Sequence, residues 1–281
     1  MSHVIVSASL DDLRCRNVRL LAEAARLGKV HLYLWSDALI IQARGKPQKF
    51  LLSEREYLAN SIRYVDRVTI AKTLTNPDAL PIDALADATA WVVDPEEDTP
   101  AKRRFCQTLG IKYHVLTKEQ IETIPGDDPT ERSVNSSNKR VLVTGCFDWL
   151  HSGHVRFFEE VSALGDLYVV VGHDENIKLL KGEGHPMFPD RQRRYMTSAI
   201  RFVTQSLISS GYGWLDAEPE IKTLQPHIYA VNEDGDRPEK RRYCEAHGIE
   251  YRVLKRLPKD GLPWRYSTDL RNQPNIDPNG S

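Results

Sequence analysis

Residues 140–144 and 167–171 carry short, almost unbroken apolar runs, Val141-Leu142-Val143 and Leu167 through Val171. Runs of this length fit strands buried on both faces of a parallel sheet. Between them Val155, Phe158, Val161 and Leu164 recur at helical spacing, and Gly165 supplies a helix stop. The pattern next predicts a helix over residues 190–203, with Tyr195, Met196, Ala199, Ile200 and Val203 on one face, and a strand over 227–231. The stretch Asp236-Arg237-Pro238-Glu239 offers an N-cap, an early proline and a glutamate at the third helical position, opening a helix that stops at Gly248. A strand over 251–254 follows. Strands alternating with helices imply βαβ units with right-handed crossovers in a doubly wound α/β sheet. In such sheets ligands bind beyond the carboxyl ends of the strands.

The same pattern occurs twice. Residues 4–13 (VIVSASLDDL) lie over 141–150 (VLVTGCFDWL), and the register continues through Val18-Arg19 over Val155-Arg156 and Leu27-Gly28 over Leu164-Gly165. After a one-residue insertion, Phe50, Tyr57, Ile62-Arg63 and Val65 match Phe188, Tyr195, Ile200-Arg201 and Val203. Lys102-Arg-Arg-Phe-Cys106 matches Lys240-Arg-Arg-Tyr-Cys244, and Gly110-Ile-Lys-Tyr113 matches Gly248-Ile-Glu-Tyr251. A register held over such a span indicates a duplicated domain. The chain of 281 residues then reads as two tandem Rossmann-like doubly wound parallel-sheet domains. Their expected limits are 1–120 and 140–272, separated by a linker at 121–139 rich in Pro, Gly, Asp, Ser and Asn and followed by a disordered tail at 273–281. Cys106 and Cys244, at equivalent helical positions, are expected in the cores.

Composition narrows the function classes. Apolar residues make up 41% and charged residues 27%, enough for packed cores. No apolar run approaches the roughly 18–20 residues that span a bilayer, and the start of the chain does not resemble a secretory signal. Thirty-eight Lys and Arg balance 39 Asp and Glu, which gives no basis for nucleic-acid binding. Four scattered cysteines without a CxxC pair argue against structural zinc and a disulfide framework. A cytoplasmic small-molecule protein is expected, with no nucleic acid, no membrane span and no protein-bound metal.

The candidate chemistry lies after the first strand of the second copy, in Gly145-Cys-Phe-Asp-Trp-Leu-His-Ser-Gly-His154. Gly145 permits a sharp turn and close approach of a phosphate to backbone amides. His151 and His154 share one face of the first helical turn, Gly153 between them leaves space, and the helix N-terminus adds free N–H groups and its positive dipole end. A zinc pair is the competing reading, but no Cys, Asp or Glu stands at ligand spacing beside the histidines.

Gly145-Cys-Phe-Asp148 with His151-Ser-Gly-His154 resembles the G-x-F-D-x-x-H-x-G-H signature of the cytidylyltransferase-like nucleotidyltransferases, and the resemblance covers the whole second copy. Among the members, the opening motif, Lys181-Gly182 and the tandem duplication most resemble ethanolamine-phosphate cytidylyltransferase. The resemblance implies transfer of CMP from CTP to a phosphorylated or phosphonylated alcohol, releasing pyrophosphate, with Mg²⁺ accompanying the triphosphate. The alternatives are an adenylyltransferase of the same fold using ATP and a non-catalytic nucleotide sensor. It further implies that His151, His154, Lys181 and Arg193 act on the reacting phosphates. Gly145, Cys146, Phe147, Asp148, Gly153, Asp234, Arg265, Ser267 and Thr268 would hold the nucleotide, and Asp174 and Lys181 the acceptor. Where the family often has Lys-x-Lys, this chain has Lys181-Gly182-Glu183, which bears on acceptor identity. The block from Arg237 to Arg242 reads as a solvated helix face.

The first copy lacks these residues. Ala8 replaces Gly145, and Arg14-Cys15-Arg16-Asn17 replaces the histidine motif, with Arg16 filling the space a triphosphate needs. A catalytically inactive domain is expected, pairing with the second as an intramolecular pseudo-dimer; further homodimerisation is the other assembly open to it.

Overall fold

The computed structural model describes residues 3–72, 76, 78–86, 88–126 and 137–271. The chain forms two compact units, Met1–Ile124 and Pro125–Ser281. Unit 1 runs β1 (His3–Ala8), α1 (Cys15–Ala25), β2 (Lys29–Trp35), α2 (Asp37–Arg44), α3 (Leu52–Ser61), β3 (Val65–Ala71), β4 (Ala88–Val93), α4 (Pro100–Leu109), β5 (Lys112–Val115) and α5 (Lys118–Glu122). Unit 2 runs β6 (Arg140–Gly145), α6 (Ser152–Ser162), β7 (Asp166–Val171), α7 (Asp174–Lys181), α8 (Asp190–Ser198), β8 (Val203–Ile208), α9 (Glu218–Leu224), β9 (Ile228–Asn232), α10 (Pro238–Ala246), β10 (Glu250–Leu254) and α11 (Ser267–Arg271).

Each unit holds a five-stranded sheet, ordered β3-β2-β1-β4-β5 in the first and β8-β7-β6-β9-β10 in the second. All the paired strands are parallel. The order is the same in both and reverses direction beside the first strand, the arrangement that opens a ligand crevice at the strands' carboxyl ends. The central strands read as continuous apolar runs because both faces are covered: Val141, Leu142 and Val143 are fully buried, as are Leu167 through Val171. Cys106 and Cys244 lie at 0% exposure in matching cores beside Trp91 and Tyr229. The two copies share finer features too. Leu10 and Asp12 take positive φ in the turn after β1, and Phe147 and Trp149 do so in the turn after β6.

Four differences from the sequence pattern are instructive. The helix expected over 190–203 ends at Ser198, and Val203 begins β8. Tight turns from Thr197 to Ile200 and from Ile200 to Val203 carry the chain directly into the strand, so its apolar residues extend the helical pattern past the real stop. Asp236 does not cap α10: the N-cap is Arg237 with no side-chain cap, and the Asp236 carboxylate binds Arg241 and Tyr251 instead. The chain stays folded onto unit 1 beyond residue 120, because Thr117 and Gln120 form a capping box that starts α5 and Ile121 is buried. The helix face expected to be solvated contains Lys240, which is 8% exposed. Residues 127–136 of the expected linker, residue 272 at the end of the expected second domain and the expected tail at 273–281 lie outside the described residues. Among the described residues no helix is long and apolar enough to cross a membrane.

Candidate active site

At the carboxyl end of the second sheet a cleft of about 520 Å³ is lined by Gly145, Cys146, Phe147, Asp148, Gly153 and His154 from the turn after β6 and the start of α6. Lys181 borders it from the end of α7, Asp234 from the turn after β9, and Ser267 and Thr268 from the start of α11. That volume suits a small-molecule site.

His151 is the N-cap of α6, and its Nδ1 accepts the Gly153 N–H at 3.1 Å. The proton must then sit on Nε2, which is buried without a partner. His154, one turn on, stacks against His151 with centroids 3.9 Å apart, and its Nδ1 is also buried and unpartnered. Burial, the adjacent His154 and the charges of Arg256 and Arg265 hold His151 well below the ordinary imidazole range. Burial, Arg256 and Lys181 push His154 down to about 3. Both rings are therefore neutral near pH 7, with polar atoms that the protein leaves unmatched. His151 sits behind His154 rather than on the cleft wall. Gly153 leaves little room for a side chain: a Cβ there would lie 3.0 Å from the His151 ring. A Cβ on Gly145 would meet the Phe147 ring at 2.9 Å, and Phe147 in turn packs edge-on against His154, 5.4 Å between centroids.

Several expected roles change. Arg193 does not face the cleft. It is 1% exposed, with Nε donating to the Phe188 carbonyl at 2.8 Å, Nη1 to that of Cys146 at 2.7 Å, and Nη2 to that of Gly172 at 2.7 Å and to Asp174 at 2.6 Å. Arg55 of unit 1 does the same to Phe50, Ser9, Trp35 and Asp37. This arginine staples the loop ends of the fold, and Asp174 is its counter-ion rather than a group of the cleft wall. Asp148 accepts the Met187 and Phe188 amides at 2.9 and 3.0 Å, as Asp11 accepts those of Lys49 and Phe50. Arg265 contributes its carbonyl over Gly153 and accepts from Arg256, while its side chain borders a smaller neighbouring hollow. Glu183 pairs with Lys178 at 3.0 Å, leaving Lys181 exposed and bordering the cleft. Burial raises the Cys146 thiol pKa and so favours its neutral form.

The pattern did not single out Arg256, Lys240, Arg237, Trp214, Asp216 or Asn176, all of which line the cleft. Arg256 pairs with Asp234 and lies over the Tyr266 ring at 4.4 Å. Its charge depresses both histidines. Among the described residues no group of three or more His, Cys, Asp or Glu gathers to hold a metal. The nearby carboxylates are engaged: Asp148 by amides, Asp216 by Ser209 and Asp234 by Arg256. A divalent cation would be held here mainly by the phosphates of a nucleotide, with few protein ligands.

In unit 1 the corresponding space is bridged. Arg16 stands where unit 2 has Gly153, and its Nε and Nη2 grip Asp94 at 2.6 and 2.5 Å, with Glu96 at 2.9 Å. Asp94 itself stands where unit 2 has the cleft-lining Asn232.

A parallel five-stranded sheet, a glycine turn and a histidine pair at a helix start define a nucleotidyltransferase, and residues 142–238 match the family model described as Cytidylyltransferase-like. The chain belongs to the cytidylyltransferase-like nucleotidyltransferase family. It is 36% identical over 123 residues to an FAD synthase of Methanopyrus kandleri, covering 42% of this chain and 79% of that one. An FAD synthase of Pyrococcus horikoshii is 36% identical over 134 residues, 46% of this chain and 84% of the relative. Among solved structures, the lipopolysaccharide core biosynthesis protein from Thermoplasma volcanium aligns with a TM-score of 0.37 at 25% identity, over 44% of this chain and 99% of that one.

Proposed function

We propose that unit 2 transfers an adenylyl group from ATP to a phosphorylated acceptor. An acceptor phosphate oxygen attacks the α-phosphorus in line, a new phosphoanhydride bond forms, and the bond to pyrophosphate breaks. The observation that carries this reading is the buried histidine pair, whose unmatched nitrogens sit at a helix start beside the cleft. The relatives support ATP over the CTP and phosphoethanolamine-like acceptor of the first expectation, because FAD, for which they are named, contains an adenylyl group.

The chemistry asks for positioning and charge neutralisation, with no covalent enzyme intermediate. His154, buttressed by His151, donates to α- and β-phosphate oxygens as charge builds there. Arg256 supplies the positive charge that the pattern assigned to Arg193, and Lys181 screens the meeting of acceptor and triphosphate. Ser267 and Thr268 hydrogen-bond the outer phosphates, and the Gly145 and Cys146 backbone admits the α-phosphate closely. Mg²⁺, when bound, neutralises phosphate charge. Pyrophosphate release measured with each nucleoside triphosphate against a panel of phosphorylated alcohols tests the proposal. Release with ATP is the expected result, and release with CTP alone would overturn the choice of nucleotide.

A further inference from the structure

Adenylyl transfer also needs a seat for the acceptor, and one end of the cleft is walled by residues that the phosphate chemistry does not use. Thr144 precedes the glycine turn, and its hydroxyl meets that of Tyr229 at 2.7 Å. Lys240, on the first turn of α10, donates to Thr144 Oγ1 at 3.2 Å and lies over the Tyr229 ring at 5.6 Å. The side chain is buried, yet among the described residues its ammonium makes no ion pair. An ammonium carries three donors, and a neutral hydroxyl answers only one of them here.

A buried charge without a counter-ion is costly unless a ligand supplies one. Burial accordingly lowers the Lys240 pKa, with Asp216 acting against that shift and Arg237 adding to it. Asp216 and Arg237 line the same stretch with opposite charges, and Asp236, the other carboxylate acting on Lys240, is paired with Arg241, so the uncompensated charge is that of Lys240. Around it the wall is well formed. Arg237 lies over the Trp214 ring at 4.7 Å, and the Asn176 amide both donates to the Gly213 carbonyl at 3.1 Å and accepts its N–H at 2.7 Å. The matching lysine of unit 1, Lys102, is more exposed and donates to the Glu97 carbonyl at 2.7 Å. In the copy without the histidines the lysine is satisfied by its own backbone; in the copy that has them it is turned toward the cleft.

We propose that this end of the cleft, formed by Lys240, Thr144, Asp216, Arg237, Trp214 and Asn176, is the acceptor subsite, and that Lys240 selects acceptors bearing a second oxyanion remote from the reacting phosphate. The inference rests on the adenylyl-transfer reading. Trp214, Asp216 and Asn176 come from the β7–β8 half of the sheet and Lys240 and Arg237 from the start of α10 after β9, whereas Arg256, Ser267 and Thr268 all follow β10.

Calorimetric titration of the full chain with ω-phosphonocarboxylates of increasing length, and with alkylphosphonates of matching length, tests it. At the length that spans the subsite, the wild type should bind the carboxylate about tenfold more tightly, the worth of a charge-assisted hydrogen bond. Lys240→Met should abolish that preference, Lys240→Arg should retain it, and the Kd for ATP should stay within about twofold. If Lys240→Met does not fold, acetylation mapping of the wild type replaces it: the carboxylate probe should protect Lys240 and the alkylphosphonate should not. No preference at any length, or a preference surviving in Lys240→Met, overturns the subsite. Failure of the wild type to bind ATP would instead overturn the reading beneath it.

Discussion

His151 and His154 show how one residue type is tuned by place. Both rings are buried and flanked by positive charge, so the folded protein binds their protons far less readily than the unfolded chain does. With His154 down at about 3 when folded and near 6.5 when unfolded, its contribution is fully present above the unfolded value. It is lost progressively as pH falls from about 6.5 toward 3, at up to about 1.4 kcal/mol per pH unit. Denaturant unfolding of unit 2 at pH 7 and pH 5 should therefore show a fall in stability on acidification. That fall should be smaller by about 2 kcal/mol in His154→Gln, which removes the titrating group. An unchanged acid sensitivity in the variant would mean that the ring is not held neutral. The histidine motif was legible in the sequence because it is local: a strand end, a glycine turn and a helix start occupy the ten residues from Gly145 to His154.

At the scale of elements, legibility fell where position depends on distant partners. Arg193 sits at the motif spacing of a phosphate-binding arginine, and only the fold reveals that its guanidinium is consumed by the carbonyls of Phe188, Cys146 and Gly172. The duplication held the clue, because Arg55 keeps the same place in a copy that lacks the histidine motif. Lys240 was missed for the same reason: within Lys-Arg-Arg it looks solvated, and its burial follows from α10 packing over Tyr229. The edge strand β8, with Thr204, Gln205 and Ser206 among its residues, carries too weak an apolar signal to be separated from the helix before it. If the arginine is a staple, Arg55→Ala and Arg193→Ala should each destabilise its own unit by about 3 kcal/mol or more, the cost of leaving three loop carbonyls without their donor. Unfolding followed by hydrogen exchange, unit by unit, reads this out. A fully stable Arg193→Ala protein with lost activity would return Arg193 to the catalytic set.

Across the whole molecule, the sequence already showed two copies of one βαβ fold, and the matching strand orders agree with that. What the pattern only suggested about the first copy has a physical form: the Arg16–Asp94 pair spans the place that Gly153 and Asn232 keep open in unit 2. On the proposed reading phosphate chemistry is confined to unit 2, within a chain whose net charge of −1 conceals a few cations gathered around one helix start. The most direct test follows α-labelled ATP into product, using the full chain with its best phosphorylated acceptor. The label should appear in an adduct with the acceptor, none should appear from γ-labelled ATP, and His154→Ala should cut the rate at least about a hundredfold, the worth of one transition-state donor. Label entering the acceptor from the γ-position, or transfer at a near-normal rate in His154→Ala, would contradict adenylyl transfer by the histidine site of unit 2.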